Sequence, residues 1–178
     1  MQRSLAGCLT VAALLAAMSS GAHAQAPART AYNTVFLELG GNAGIYSVNY
    51  ERVLPSAVSL RAGFSYLSVS AASGTSGSNV TWSSFPLTVS YLGLGGGTVK
   101  FEVGGGVALH RFSGSATWGF GDEVKTGAFV PLPTAIAGLR IAPAGGGFNF
   151  KLAYTPLYVS DASTKLFNWG GMAFGIGF

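Results

Sequence analysis

Cysteine, histidine and charge are what this chain has least of. It holds one cysteine, Cys8, and two histidines, while charged residues make up 9% of its 178 positions. Cys8 lies in an N-terminal stretch that the sequence marks for removal, so residues 25–178 are expected to carry no disulfide, thiolate nucleophile or cysteine metal site. His110 alone makes no zinc site, and the scattered acids lack the spacing of a calcium loop. Glycine clusters such as Gly93 to Gly97 contain no phosphate-loop motif and open no helix, so they read as turns. The basic residues are single and dispersed, and a formal charge of +4 therefore forms no patch to track a nucleic-acid backbone. Sustained helical spacing is missing too, and nothing after residue 24 is long and apolar enough for a spanning helix. No cofactor is expected.

The N-terminus follows an export pattern. Arg3 precedes the apolar stretch Leu9 to Met18, and the small-residue site Ala22-His23-Ala24 follows it, which predicts a signal peptide over 1–24 cut before Gln25. Leu5-Ala6-Gly7-Cys8 resembles a lipoprotein acylation box, but that box must follow the hydrophobic segment, and here it precedes it. Residues 25–33 are expected as a short periplasmic segment ahead of a barrel over 34–178.

Glycine and aromatics are abundant: 27 glycines, and 12% Phe, Trp and Tyr. Period-two alternation dominates, giving eight predicted strands at 34–40, 45–53, 57–67, 81–92, 98–110, 127–141, 148–158 and 167–178. After a short first loop, Gly-Asn-Ala-Gly at 41–44, tight turns at 54–57, 92–97 and 142–147 alternate with longer polar loops at 68–81, 115–125 and 160–165. Loops sorted by end in this way describe an all-β fold, an eight-stranded antiparallel up-and-down transmembrane β-barrel. A membrane requires the sheet to close, since an open edge in lipid leaves backbone groups unpaired at several kcal/mol each.

Parity decides which face looks inward. Phe148, Phe150, Leu152 and Tyr154 alternate with Asn149, Lys151, Ala153 and Thr155, and Met172, Phe174, Ile176 and Phe178 alternate with Gly171, Ala173, Gly175 and Gly177. Glu38, Glu51, Arg61, Lys100, Glu102, Arg140 and Lys151 all fall on the small, polar face; Arg52, at a strand end, does not. A solvated face would carry more charge, whereas a narrow lumen suits few charges and many glycines. One Arg or Lys facing mid-bilayer lipid would cost about 2 to 4 kcal/mol. The expectation is a lumen charge network of these seven residues, all but Glu38 toward the periplasmic half, with Ser47, Ser65, Thr88, Ala108, Thr155 and Ala173 lining at most a shallow outer cup; closure of that space by strand tilt, with room for a few waters only, is the favoured reading.

These features resemble the small outer-membrane β-barrel proteins of Gram-negative bacteria, of the OmpA and OmpX type. The most specific element is the C-terminus, where Met172, Phe174, Ile176 and Phe178 match the family's assembly signal, a terminal aromatic preceded by alternating hydrophobic residues. The stretch LELGGNAGIYSVNYERVL (37–54) also looks like the opening hairpin of short barrel proteins. The resemblance implies residence in the outer membrane after export, contact with outer-membrane lipid, and handling by the barrel-assembly machinery. It departs from the OmpA family in that no peptidoglycan-binding domain follows the barrel, so tethering to the cell wall is not expected.

Aromatic residues at strand ends are expected to form two interfacial girdles, with Tyr46, Tyr66, Trp82, Phe112, Tyr158 and Phe167 at the outer end and Tyr50, Tyr91, Phe148 and Phe178 at the inner. Ligand stacking by Trp82 and Trp118 is the rival role. Some small barrels modify lipid A with a rim His, a Ser and an acid, for which His110, Ser113, Asp122, Glu123 and Asp161 are the candidates here. The His110-to-Ser113 spacing departs from the H-x-S arrangement of the deacylase family, and a lone rim histidine is expected to be a hydrogen-bonded wall residue. A non-enzymatic barrel acting through its longer loops is the leading reading. A narrow transport or ligand-binding barrel is the alternative, and a soluble lipocalin-type barrel is disfavoured by where the charges fall.

Overall fold

A computed structural model of the chain describes residues 29–73, 76–113, 127–159 and 166–178. The predicted signal peptide, Cys8, Trp118, Asp122, Glu123 and Asp161 lie outside the described residues. The strands are β1 (Asn33–Gly40), β2 (Tyr46–Val53), β3 (Val58–Ser73), β4 (Ser76–Leu94), β5 (Val99–Ser113), β6 (Phe129–Ile141), β7 (Gly147–Tyr154), β8 (Leu157–Tyr158), β9 (Leu166–Phe167) and β10 (Gly170–Gly177). Each of β1 to β6 pairs antiparallel with its sequence neighbour, β6 pairs with β7, β7 with β10, and β10 with β1. The sheet therefore closes on itself. Two short strands, β8 and β9, pair with each other and extend β7 and β10, so the ten strands make eight staves.

Proline marks where the ladder breaks. Pro156 has no N–H to donate, and the predicted strand 148–158 divides there into β7 and β8. Thr155 N–H instead bonds the Trp169 carbonyl at 2.8 Å, in the gap between β9 and β10. Pro86 faces inward on β4, and the β3–β4 register passes from Ala62 opposite Leu87 to Ser65 opposite Ser84, leaving Phe85 and Pro86 out of the ladder on that side.

The hairpin joining β3 and β4 corrects an expectation. Residues 68–81 read as a polar loop, yet Ser68 pairs with Thr81 and the ladder continues to Ser73 opposite Ser76. Backbone hydrogen bonds between two strands do not depend on side-chain polarity, and β-branched Val69, Val80 and Thr81 favour the extended form. The tight turns at the opposite end stand where the sequence puts them, with Ala57 at φ 60° in the turn 54–57.

Side chains alternate across the wall as parity requires. Along β7, Phe148, Leu152 and Tyr154 are exposed, while Asn149, Lys151 and Ala153 are buried. On β10 and at the residue that follows it, Met172, Phe174, Ile176 and Phe178 point out, and Ala173 and Gly177 point in. The exterior is aliphatic and aromatic around the whole circumference: Val48, Leu60, Leu87, Leu139, Leu152 and Ile176 are all roughly half exposed. The interior holds Thr34, Ser47, Asn49, Ser59, Ser65, Ser84, Thr88 and Ser90 together with the ionised groups.

Glycines on the inner face let neighbouring strands approach. At Gly106 a Cβ would fall 2.1 Å from the Leu87 carbonyl oxygen and 2.7 Å from Thr88 Cα, both backbone atoms that cannot step aside. Gly96, in the turn, has nothing within 4 Å of such a Cβ. Gly106→Val is therefore expected to destabilise the barrel by at least about 3 kcal/mol and to abolish the compact, heat-modifiable band in detergent electrophoresis. Gly96→Ala should leave that band unchanged.

Candidate functional site

Six of the seven charged residues on the polar face are brought together inside the barrel. Glu38 on β1, Glu51 on β2, Arg61 on β3, Glu102 on β5, Arg140 on β6 and Lys151 on β7 are each at most 4% exposed. Arg61 Nη1 donates to Glu38 Oε1 at 3.0 Å. Arg140 Nη1 lies 2.6 Å from Glu51 Oε1 and 3.9 Å from Glu102 Oε2. Lys151 Nζ reaches Glu102 Oε1 at 3.0 Å. Three carboxylates thus meet three cations, and the interior charge balances.

Neutral groups hold the ionic ones in place. Arg61 Nε donates to Thr88 Oγ1 at 3.0 Å, and its guanidinium lies 5.7 Å from the centroid of the inward Phe36 ring. Ser47 Oγ donates to Glu38 Oε2 at 3.4 Å and accepts from Asn49 Nδ2 at 2.8 Å. The cavity bounded by Phe36, Arg140, Asn149 and Lys151 measures only about 10 Å³, room for about one water.

Lys100 stands apart. It shares the inward face and lies opposite Arg140 in the β5–β6 register, but it is half-buried at the turn end, with no carboxylate within ion-pair distance among the described residues. Glu38 differs in another way: it sits toward the loop end, and its pairing with Arg61 carries the network past mid-barrel.

At the loop end, the space is closed, but by a loop as well as by the wall. Ser47, Ser65, Thr88, Ala108, Thr155 and Ala173 are all buried, and the loop 41–44 folds inward over them as a short helical turn, with Asn42 and Ala43 fully buried. Thr134 Oγ1 on β6 lies 3.2 Å from Asn42 Oδ1. Glycine makes this entry possible, since Gly40 and Gly44 have φ of 73° and 95°, and a Cβ at Gly44 would fall 1.8 Å from the Trp82 indole. The signal was present in the glycines flanking Asn42, but a four-residue loop is equally readable as an ordinary solvent turn.

Trp82 is likewise not a girdle residue. It shares parity with Ser84, Pro86 and Thr88 and lies inside at 7% exposure, where Nε1–H donates to His110 Nδ1 at 3.0 Å. Phe112 follows it inward, half-buried and stacked on the indole at 5.4 Å. Phe167 packs on the buried cluster of Ala108, Leu132 and Leu157. Tyr66 and Tyr158 are exposed near the loop end, and Tyr50, Tyr91, Phe148 and Phe178 near the turn end.

His110 is 1% exposed, while Ser113, three residues on and of opposite parity, is exposed on the outer wall. A histidine and serine on opposite faces of one strand cannot act on one substrate atom. Among the described residues, no group of three or more His, Cys, Asp and Glu is placed to hold a metal ion.

No known protein family and no curated protein matches the chain. Among solved structures, the crystal structure of the N-terminal β-barrel domain of Pseudomonas aeruginosa OprF is similar, at 15% identity and a TM-score of 0.47, covering 85% of this chain and 98% of that one.

Breaking one buried pair strands its partner, which costs about 3 to 5 kcal/mol, whereas replacing both by apolar groups of similar volume is near neutral. Arg140→Met is therefore expected to destabilise the barrel by about 3 kcal/mol or more in urea unfolding from lipid vesicles. The double variant Glu51→Leu, Arg140→Met should recover a large part of that loss.

Proposed function

We propose that the chain is a non-enzymatic integral outer-membrane β-barrel that acts as a structural or surface-recognition protein through its longer loops. The observation that carries this reading is the inverted polarity of the wall: ionised groups inside, and a continuous apolar surface outside. In water, exposed aliphatic side chains over the whole circumference would drive aggregation. Against acyl chains they are at home, and the closed backbone ladder meets the membrane's demand that every N–H and C=O be satisfied.

The signal peptide over 1–24 would deliver residues 25–178 to the periplasm, with 25–33 remaining on that side. Met172, Phe174, Ile176 and Phe178, exposed on the last stave, would serve as the segment taken up by the barrel-assembly machinery. The ion pairs joining Glu38, Glu51, Arg61, Glu102, Arg140 and Lys151 support a lumen sealed by charge. The loop 41–44 with Trp82 and His110 supports a second seal above it, which weighs against solute transport. Burial of His110, with its Nδ1 already occupied, supports a wall role in place of catalysis on lipid A.

The protein is expected in the outer-membrane fraction, with heat-modifiable migration after detergent extraction and no unitary conductance in planar bilayers. Extraction into buffer without detergent would contradict the membrane reading, and steady conductance would contradict the seal. His110→Ala should leave lipid A unchanged by mass spectrometry.

A further inference from the structure

Two cations at the turn end of the barrel have no ion-pair partner among the described residues. Arg29, where the chain enters the wall, donates from Nη1 to the Ala31 carbonyl at 3.1 Å, and its Nη2 is buried with no hydrogen-bond partner among the described residues. Lys100 is the second residue of β5, on the inward face. Both line one cavity of about 320 Å³, whose remaining walls include Tyr32, Leu54, Leu92 and Ala144. Below it the interior charges cancel three against three, so among the described residues Arg29 and Lys100 leave two positive charges in excess.

The surroundings make that excess unfavourable. Burial, followed by the charge of Arg140, pushes the Arg29 guanidinium pKa down, and Glu51 offsets this in part. Opposite Lys100 in the ladder stands Arg140, whose short contact to Glu51 already engages it. Apolar walls strengthen any Coulomb attraction within the cavity. A guanidinium fork and an ammonium together present the donors that carboxylates and phosphates accept.

We propose that this cavity is a binding site for a small oxyanion, a phosphate or carboxylate group of up to two negative charges, entering through the mouth at the turn end. The volume is at the lower end of ligand pockets, which suits an anionic head with a short organic body. Leu54, Leu92 and Ala144 would contact that body, and Arg29 and Lys100 the head. Two sources supply such a group: a soluble anion, or the phosphate of a lipid headgroup folded in at the rim.

The test uses residues 25–178 refolded in nonionic detergent micelles, with backbone amide resonances of Thr98 and Lys100 followed while sodium phosphate, and separately sodium succinate, is added at ionic strength held constant with sodium chloride. Saturable shifts at these amides are expected, with midpoints raised tenfold or more in both Lys100→Gln and Arg29→Gln while the remaining barrel spectrum is unchanged. Comparing glycerol phosphate with dihexanoyl phosphatidylglycerol assigns the source. Equal midpoints assign a soluble oxyanion, and a much lower midpoint for the lipid assigns the headgroup. Shifts no larger than those from chloride, or midpoints unchanged in both variants, overturn the site.

Discussion

Placing three carboxylates and three cations inside a barrel of this width forces them into contact, and the pairing of those charges constrains everything around them. Each ion removed from water pays a desolvation cost of several kcal/mol that only close, hydrogen-bonded opposite charge returns. Glu38 meets Arg61, Glu51 meets Arg140, and Glu102 lies between Lys151 and Arg140. These pairs join β1 to β3, β2 to β6, and β5 to β7, so they cross the lumen in addition to the backbone ladder. Such links favour one closure and one register, because a slip by one residue on any of the six staves that carry an ion would turn that ion to the apolar exterior and strand its partner.

The two ends of the cylinder are built differently. At the loop end, Asn42 and Ala43 drop into the lumen over Trp82 and His110, making a neutral, tightly filled layer. At the turn end, the interior opens into a basic recess with no acid in its lining. One chain thus carries a neutral seal, a balanced ionic middle and a positive mouth, in that order along the axis.

Much of this was legible in the sequence because period two is unforgiving. Phe148 to Tyr154 on β7, and Met172 to Phe178 at the end, declare their faces by alternation alone, and the same counting puts Glu51, Arg61, Glu102, Arg140 and Lys151 on the inside. Parity also held the correct answer for Trp82, which sits two residues from Ser84; the general habit of aromatics at membrane interfaces concealed it. What alternation does not encode is where a loop goes once it leaves the wall, so the inward fold of 41–44 escaped it. Composition misled over 68–81, where serine and glycine read as a loop although the backbone continues to pair. The basic mouth beside Lys100 depends on Arg29, which lies outside every strand and follows no period.

The central claim is that the apolar face of the wall meets lipid and the charged face meets itself. Because the only cysteine of the chain is Cys8, ahead of the predicted cut site, single cysteines can be placed along β7 from Phe148 to Tyr154, spin-labelled, and studied in vesicles for collision with oxygen and with a water-soluble nickel complex. The account predicts high oxygen and low nickel accessibility at Phe148, Phe150, Leu152 and Tyr154, and the loss of both at Asn149 and Ala153. High nickel accessibility at Phe148, Leu152 and Tyr154, with alternation intact, would place that face in water and contradict it.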